Sequence, residues 1–318
     1  MGKQLQVELW QECNSKCKFC YLGKENNYTP DVLKISACEK TLKLISDLSN
    51  YPEYDTLAYL GGEFFQGQMK NPQVKEAFMN LMKKTAELLN QGYVNHVWIY
   101  ATLTIGNQED LYEVLKLFEG HKGELWILTS YDTIGRFHTP KMEENWSYHM
   151  KNIHNMYPDI LFNITTILSE DCIDKYLNDE ISFQKMIEEY HTTFFFKQCG
   201  TANMSVEEMN NHLPHFIPPR DKFLKFLTKF KQQESSEMWD KLFNIKYRAD
   251  MLYRNANNEE QQMQAQQRFK DGKAEVDLSY HGPEADLAPC GHMATYQAYS
   301  DCDGCVICDK NLIEELMG

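Results

Sequence analysis

The chain has 318 residues, 42% of them hydrophobic, and a formal net charge of −14 at pH 7. That size suits one large domain or a domain with an appendage, and no apolar run reaches the ~18 residues that mark a membrane span. An acidic balance without a basic stripe argues against a nucleic-acid partner. The opening residues alternate like a strand and lack a signal-peptide apolar stretch, so a cytoplasmic location is expected.

Short β-rich runs alternate with longer helical runs over the first 200 residues. Strand one is expected over Gln4 to Trp10, with Leu5, Val7 and Leu9 alternating against Gln4, Gln6 and Glu8. Three cysteines follow it, and Thr29-Pro30 then reads as an N-cap and first-turn proline. The helix behind them repeats Ile35, Cys38, Leu42 and Ile45 at helical spacing. Strand two, around Thr56 to Leu60, ends in Gly61-Gly62-Glu63; Asn71-Pro72 opens a helix with Val74, Phe78, Leu81 and Met82 on one face. Strand three (His96 to Ala101) precedes a helix carrying Leu111, Val114, Leu115 and Phe118. Strand four (Leu125 to Thr129) leads through a long loop to a helix near Glu143 to Met156. Strand five (Leu161 to Ile167), a helix near Asp179 to Tyr190 and strand six (Thr193 to Lys197) complete the series. Strands separated by helices imply a parallel sheet with helices outside.

The pattern changes after Gly200. Asp221 to Phe230 and Met238 to Tyr253 read as amphipathic helices, and Asn255 to Gln267 is a polar, Gln/Asn-rich stretch. Lys222, Lys225, Lys229 and Lys231 read as the solvated face of the first helix. The expected division is therefore a domain over 1–202 and a helical, Cys-rich extension over 203–318.

Ten cysteines stand at 13, 17, 20, 38, 172, 199, 290, 302, 305 and 308, and seven of them fall in two clusters. A disulfide framework belongs to short secreted chains, so metal binding explains the clusters better. Cys38 reads as an ordinary core residue of its helix. Cys172 and Cys199 have no partner visible in the sequence. The first cluster, Cys13-x3-Cys17-x2-Cys20, puts three thiolates on one loop directly after a strand. Three thiolates can hold three irons of a cubane and leave the fourth open to a small molecule; a zinc knuckle or chance clustering is the alternative.

With Gly61-Gly62-Glu63 after the next strand and Phe19 just before the third cysteine, the chain resembles the radical S-adenosylmethionine (radical SAM) superfamily. The resemblance implies an open, partial (β/α)6 TIM-like barrel, and six strands are too few for a closed eight-stranded one. It implies that Cys13, Cys17 and Cys20 bind a [4Fe–4S] cluster whose open iron takes the amino and carboxylate groups of S-adenosylmethionine (SAM). Carbonyls at Gly61 and Gly62 would accept from the SAM ammonium, Glu63 would add charge or hold the turn, and Phe19 would present its backbone to the adenine. Ser130, Asn163 and Thr165 are further contact candidates from their strand positions. The implied reaction is cleavage of SAM by one electron, from an external donor such as flavodoxin or ferredoxin. The 5′-deoxyadenosyl radical so formed abstracts hydrogen from a peptide or small-molecule substrate. Modification of a nucleotide or nucleobase, and a non-catalytic zinc or iron protein of the same fold, are the alternatives.

The loop from Ser130 to His138 is expected to face substrate. Arg136 suits a carboxylate or phosphate clamp, or pairs with Asp132 to fix the loop. Tyr131 suits an electron or proton relay, or packing. The tail holds Cys290-x11-Cys302-x2-Cys305-x2-Cys308, a full ligand set for an auxiliary [4Fe–4S] cluster or for a structural Zn2+. This tail departs from the seven-cysteine pattern of the superfamily's peptide-modifying branch.

Overall fold

The computed structural model describes residues 3–15, 17, 28–132, 135–197, 220–235 and 238. Within them the alternating runs become β1 (Lys3–Glu8), β2 (Tyr54–Leu60), β3 (His96–Tyr100), β4 (Glu124–Ser130), β5 (Leu161–Ile167) and β6 (Thr192–Lys197). They form one six-stranded sheet in chain order, every neighbouring pair parallel. Parallel neighbours need a crossover, and helices supply it. These are α1 (Asp31–Ser46), α2 (Pro72–Gln91), α3 (Glu109–Leu117), α4 (Pro140–Met156), α5 (Glu170–Leu177) and α6 (Phe183–Tyr190), while α7 (Arg220–Gln233) follows β6. The fold is α/β. No helix among the described residues is long and apolar enough to cross a membrane.

Residues paired across a parallel ladder share a face, so the register sorts the sheet into two surfaces. One row runs Val7, Tyr59, Ile99, Ile127, Phe162, and all five are buried in the core shared with the helices. Burying one such side chain contributes about 1.5–3 kcal/mol. The neighbouring row on the other surface runs Gln6, Ala58, Trp98, Trp126, Leu161, half-buried except for the small Ala58. The apolar–polar alternation of strand one thus extends across the sheet. The second surface, also carrying Glu8, Tyr100, Asn163 and Thr193, is polar and aromatic.

Three local expectations shift. Helix α1 begins at Asp31 with Pro30 in the N-cap position, so the cap expected from Thr29 falls one residue later and brings no side-chain bond. Helix α4 starts at Pro140, earlier than Glu143, because proline suits a first turn whose N–H has no helical partner. The crossover from β5 to β6 contains two short helices where one was expected. Ser169 caps α5 by accepting from Cys172 N, Asp179 turns the chain at φ 61°, and Ser182 caps α6.

Helix α7, beyond the expected boundary near residue 202, shares the first domain's core. Phe223, Phe226, Leu227 and Phe230 are buried with Tyr176 of α5, Phe183 of α6 and Phe196 of β6. The rings of Phe226 and Phe230 lie 5.2 and 5.8 Å from Tyr176, and Phe230 lies 5.6 Å from Phe196. Lys222 and Lys229 do more than solvate a face. Lys222 pairs with Glu170 and Asp174, and Lys229 pairs with Asp179 while donating to the Tyr176 and Leu177 carbonyls. Cys38 is a core residue, as expected, and burial pushes its thiol up to about 12; Cys172 is alike.

Candidate functional site

Beyond β1 the chain runs from Leu9 to Cys13 outside any helix or strand, and beyond β2 it bends at Gly61-Gly62. The two segments stay laced together: Gly62 N donates to Trp10 O at 2.8 Å, and Glu63 N donates to Glu12 O at 2.9 Å. This approach dictates glycine. Gly61 has φ 144°, and a Cβ at either glycine would overlap the Trp10 or Glu12 carbonyl oxygen. The indole N–H of Trp10 completes the seam by donating to Glu63 O at 3.2 Å.

Glu63 is 1% exposed. One carboxylate oxygen accepts from Phe64 N and Phe65 N at 2.9 and 3.0 Å, and the other accepts from Thr102 N at 2.6 Å. Burial pushes its carboxyl above the usual carboxylate range, against these hydrogen bonds. Of the two roles expected for Glu63, holding the turn is the one its contacts describe.

The cysteine loop is pinned by Gln66, which is 8% exposed. Its amide nitrogen lies 3.0 Å from Ser15 Oγ, 2.8 Å from Thr102 Oγ1 and 3.1 Å from Thr104 Oγ1. Its side-chain oxygen accepts from Asn14 N at 3.2 Å, and its carbonyl accepts from Asn14 Nδ2 at 3.0 Å. Ser15 N in turn donates to Cys13 Sγ at 3.4 Å. Burial raises the Cys13 thiol above its ordinary value, and the Ser15 N–H and the Arg136 charge oppose that rise.

The segment after β4 reaches the same loop. Asp132 is buried; one oxygen accepts from Ile167 N at 2.8 Å and the other from Arg136 Nε at 3.3 Å. The pairing of Asp132 with Arg136 is therefore present. Burial works against the Arg136 charge, but Cys17, Asp132 and Cys13 hold the guanidinium above its ordinary value. His138 Nε2 lies 2.6 Å from Ser15 O; a carbonyl only accepts, so this nitrogen carries the proton. Tyr131 lies in the core, its ring 5.4 Å from Phe137 and 5.3 Å from Trp146, with its hydroxyl donating to Glu143 at 2.7 Å. Burial and Glu143 raise its phenol.

Ser130 and Asn163 stand on the polar surface of the sheet, where Asn163 Nδ2 donates to Thr193 Oγ1 at 2.8 Å. Cys13, Cys17, Gly61, Gly62, Glu63, Asp132 and Arg136 thus belong to one neighbourhood, and Tyr131 packs behind it. Phe19 and Cys20 lie outside the described residues, as do Cys290, Cys302, Cys305 and Cys308. Among the described residues no group of three or more His, Cys, Asp or Glu side chains is arranged to hold a metal ion.

Sequence reasoning did not single out Lys34, Gln66, Thr102 or Thr104. Lys34 carried a signal: with Cys38, Thr41 and Ile45 it occupies the buried stripe of α1 at helical spacing. Lys34 Nζ lies 2.7 Å from Glu12 Oε2, in the residue before Cys13, and donates to Gln68 O at 3.3 Å. Gln66 had no such signal, since Gln-Gly-Gln reads as a turn. No protein-family model matches the chain, and no curated protein matches it.

Proposed function

We propose that the protein is a radical SAM enzyme of the cytoplasm, built on an open, partial (β/α)6 barrel with a Cys-rich extension. The observation that carries this reading is the seam between the segment leading into Cys13 and the Gly61-Gly62-Glu63 turn. Two loops that match the superfamily's two motifs leave adjacent parallel strands at their C-terminal ends, where βα folds keep their sites, and the chain just before the first cysteine is bonded to the turn.

The donor set fits a metal–thiolate centre. Cys13 and Cys17 share one loop, the Ser15 N–H points at a sulfur, and the Arg136 charge is felt at both thiols. With Cys20 they would hold a [4Fe–4S] cluster, which supplies the electron that cleaves SAM to methionine and a 5′-deoxyadenosyl radical. The chain's own residues have distinct tasks around it. Gly61 and Gly62, half-buried and packed against the β1 extension, would offer their carbonyls to a SAM ammonium. Glu63 fixes that turn through three N–H donors. The polar surface with Glu8, Tyr100, Ser130 and Asn163 offers hydrogen-bonding groups to SAM and to a peptide or small-molecule substrate. The tail cysteines would hold an auxiliary [4Fe–4S] cluster or Zn2+, and flavodoxin or ferredoxin would deliver the electron.

Anaerobic reconstitution with iron and sulfide tests this reading. The expected result is a cluster whose electron paramagnetic resonance (EPR) signal changes with SAM, and 5′-deoxyadenosine on reduction. Cys17→Ala should lose both. A zinc-only protein, or SAM turnover retained by Cys17→Ala, overturns it.

A further inference from the structure

Only three residues separate Cys13 from Cys17, so whatever fixes Asn14 and Ser15 fixes the spacing of the two thiols. Ser15 is held at its hydroxyl by Gln66 of the β2 loop, at 3.0 Å, and at its carbonyl by His138 of the β4 loop, at 2.6 Å. We infer that Gln66 and His138 are positioning residues that grip Ser15 from two separate loops and preset the thiols for metal. This rests on reading Cys13, Cys17 and Cys20 as cluster ligands.

The chemistry of both residues fits such a grip. A carboxamide nitrogen has two hydrogens, and Gln66 sets them among three hydroxyls, while its two oxygens take both donors of Asn14. The amide nitrogen and both oxygens of Gln66 thus all have partners, which restricts its rotamer. Thr102 and Thr104 anchor the amide to the β3 loop, so the grip is referred to three strands of the sheet. His138 Nε2 donates to Ser15 O, and its own backbone N donates to Arg136 O at 3.1 Å, which ties the imidazole to the Asp132–Arg136 pair. Neither residue touches a sulfur, so each acts through Ser15. A loop released at these points must be ordered by the metal itself, and it gives the metal up faster.

The test compares His138→Leu and Gln66→Met with His138→Gln, which keeps a side-chain N–H, and with Ser15→Ala, which removes only the hydroxyl. In metal-free protein, site-resolved alkylation by iodoacetamide should rise at least tenfold at Cys13 and Cys17 in the first two variants. Ser15→Ala should show a smaller rise, and His138→Gln should stay near wild type. Cys38 and Cys172, both buried in the core, report whether the fold is intact. After anaerobic reconstitution, loss of iron to a chelator should accelerate in the same order. Wild-type alkylation rates at Cys13 and Cys17 in His138→Leu and Gln66→Met overturn the inference. Where Cys38 and Cys172 also become reactive in those variants, Ser15→Ala decides, and an unchanged rate there overturns it. A wild-type protein that takes up no iron overturns the cluster reading, while the alkylation series still judges the grip.

Discussion

Lys34 Nζ stands 2.7 Å from Glu12 Oε2, a buried ion pair set on the residue that precedes the first cysteine. The ammonium is 3% exposed, also donates to Gln68 O, and lies 5.9 Å from the Trp10 ring centroid. It joins α1 to the seam between the β1 and β2 extensions. Removing one partner of such a pair strands a charge, which costs about 3–5 kcal/mol. Glu12→Gln leaves the 3% exposed ammonium with only the more distant Asp31, at 3.6 Å, and should lose stability toward that scale in urea titrations, while Lys34→Met should lose less because the carboxylate it strands is 19% exposed. The double variant should recover part of the loss. Additive losses would show that the two side chains do not depend on each other.

Arg136 places a half-buried positive charge near Asp132, Cys13 and Cys17. Reduction adds negative charge to a thiolate-bound centre, so a nearby cation favours the reduced state. If Cys13 and Cys17 hold the proposed cluster, Arg136→Gln should move its potential to more negative values, and Arg136→Lys should move it less. A tenfold fall in the reduced fraction corresponds to about 59 mV for one electron. Spectroelectrochemical titration reads the shift; an unchanged potential would assign Arg136 to the loop alone.

His149, on the buried side of α4, uses both ring nitrogens: Nε2 meets Ile105 O at 2.9 Å and Nδ1 meets the Tyr112 hydroxyl at 3.0 Å. Burial lowers its pKa below the ordinary imidazole value. A depressed folded pKa means the unfolded chain binds more protons, so the stability it contributes is present above the ordinary imidazole range. That stability is lost as pH falls through the range toward the folded value. Wild-type stability should therefore drop on acidification through that window, and His149→Gln should lack that part of the slope. The loop it anchors carries Thr102 and Thr104, so the Gln66 contacts should weaken over the same window.

The six strands are legible as short β-rich runs separated by helices, which force parallel pairing, and strand one shows its apolar face by alternation; β2 and β6 do not alternate, so their faces come only from the sheet. The places of the cysteine loop and the Gly-Gly-Glu turn are legible because each directly follows a strand, and the structure sets them at the ends of neighbouring strands. What escaped is polar and tertiary. Gln66 has a role only because Ser15 arrives from the end of β1 and Thr102 and Thr104 from the end of β3, and local pattern holds no trace of that. In the Ser130–His138 segment the pairing of Asp132 with Arg136 is one of the two arrangements expected, but the bonds that tie the segment to other elements are not in the pattern. In space Asp132 faces Ile167 and Arg136, and His138 faces Ser15. Tyr131 finds its partner, Glu143, on the helix beyond that loop. The boundary near 202 followed a change of composition, whereas α7 carries its phenylalanines back to the first core.

Gly62 tests the seam directly. A Cβ there would fall against the Gln11 and Glu12 carbonyls, backbone atoms that a side-chain rotation cannot move aside. Gly62→Ala must push the two extensions apart, at a cost of about 1–3 kcal/mol of overpacking, and break the bonds from Gly62 N and Glu63 N. The fold should survive, since β1 and β2 pair independently below the turn, but reconstituted iron and the SAM-dependent spectral change should both fall.

Phe226 tests whether α7 belongs to the first core. It is fully buried, with ring contacts to Tyr176, Phe223 and Phe230. Truncating a buried phenylalanine to alanine costs about 3–5 kcal/mol, whereas an appended helix on an independent domain would leave the domain's own transition in place. Phe226→Ala in the full chain should lower the midpoint of the main unfolding transition seen by circular dichroism. A chain ending at residue 202 would expose Phe183, Phe196 and Tyr176 together, and should precipitate or bind an apolar dye. A truncated chain that unfolds at the full chain's midpoint would make α7 an ornament, and the boundary near 202 a true one.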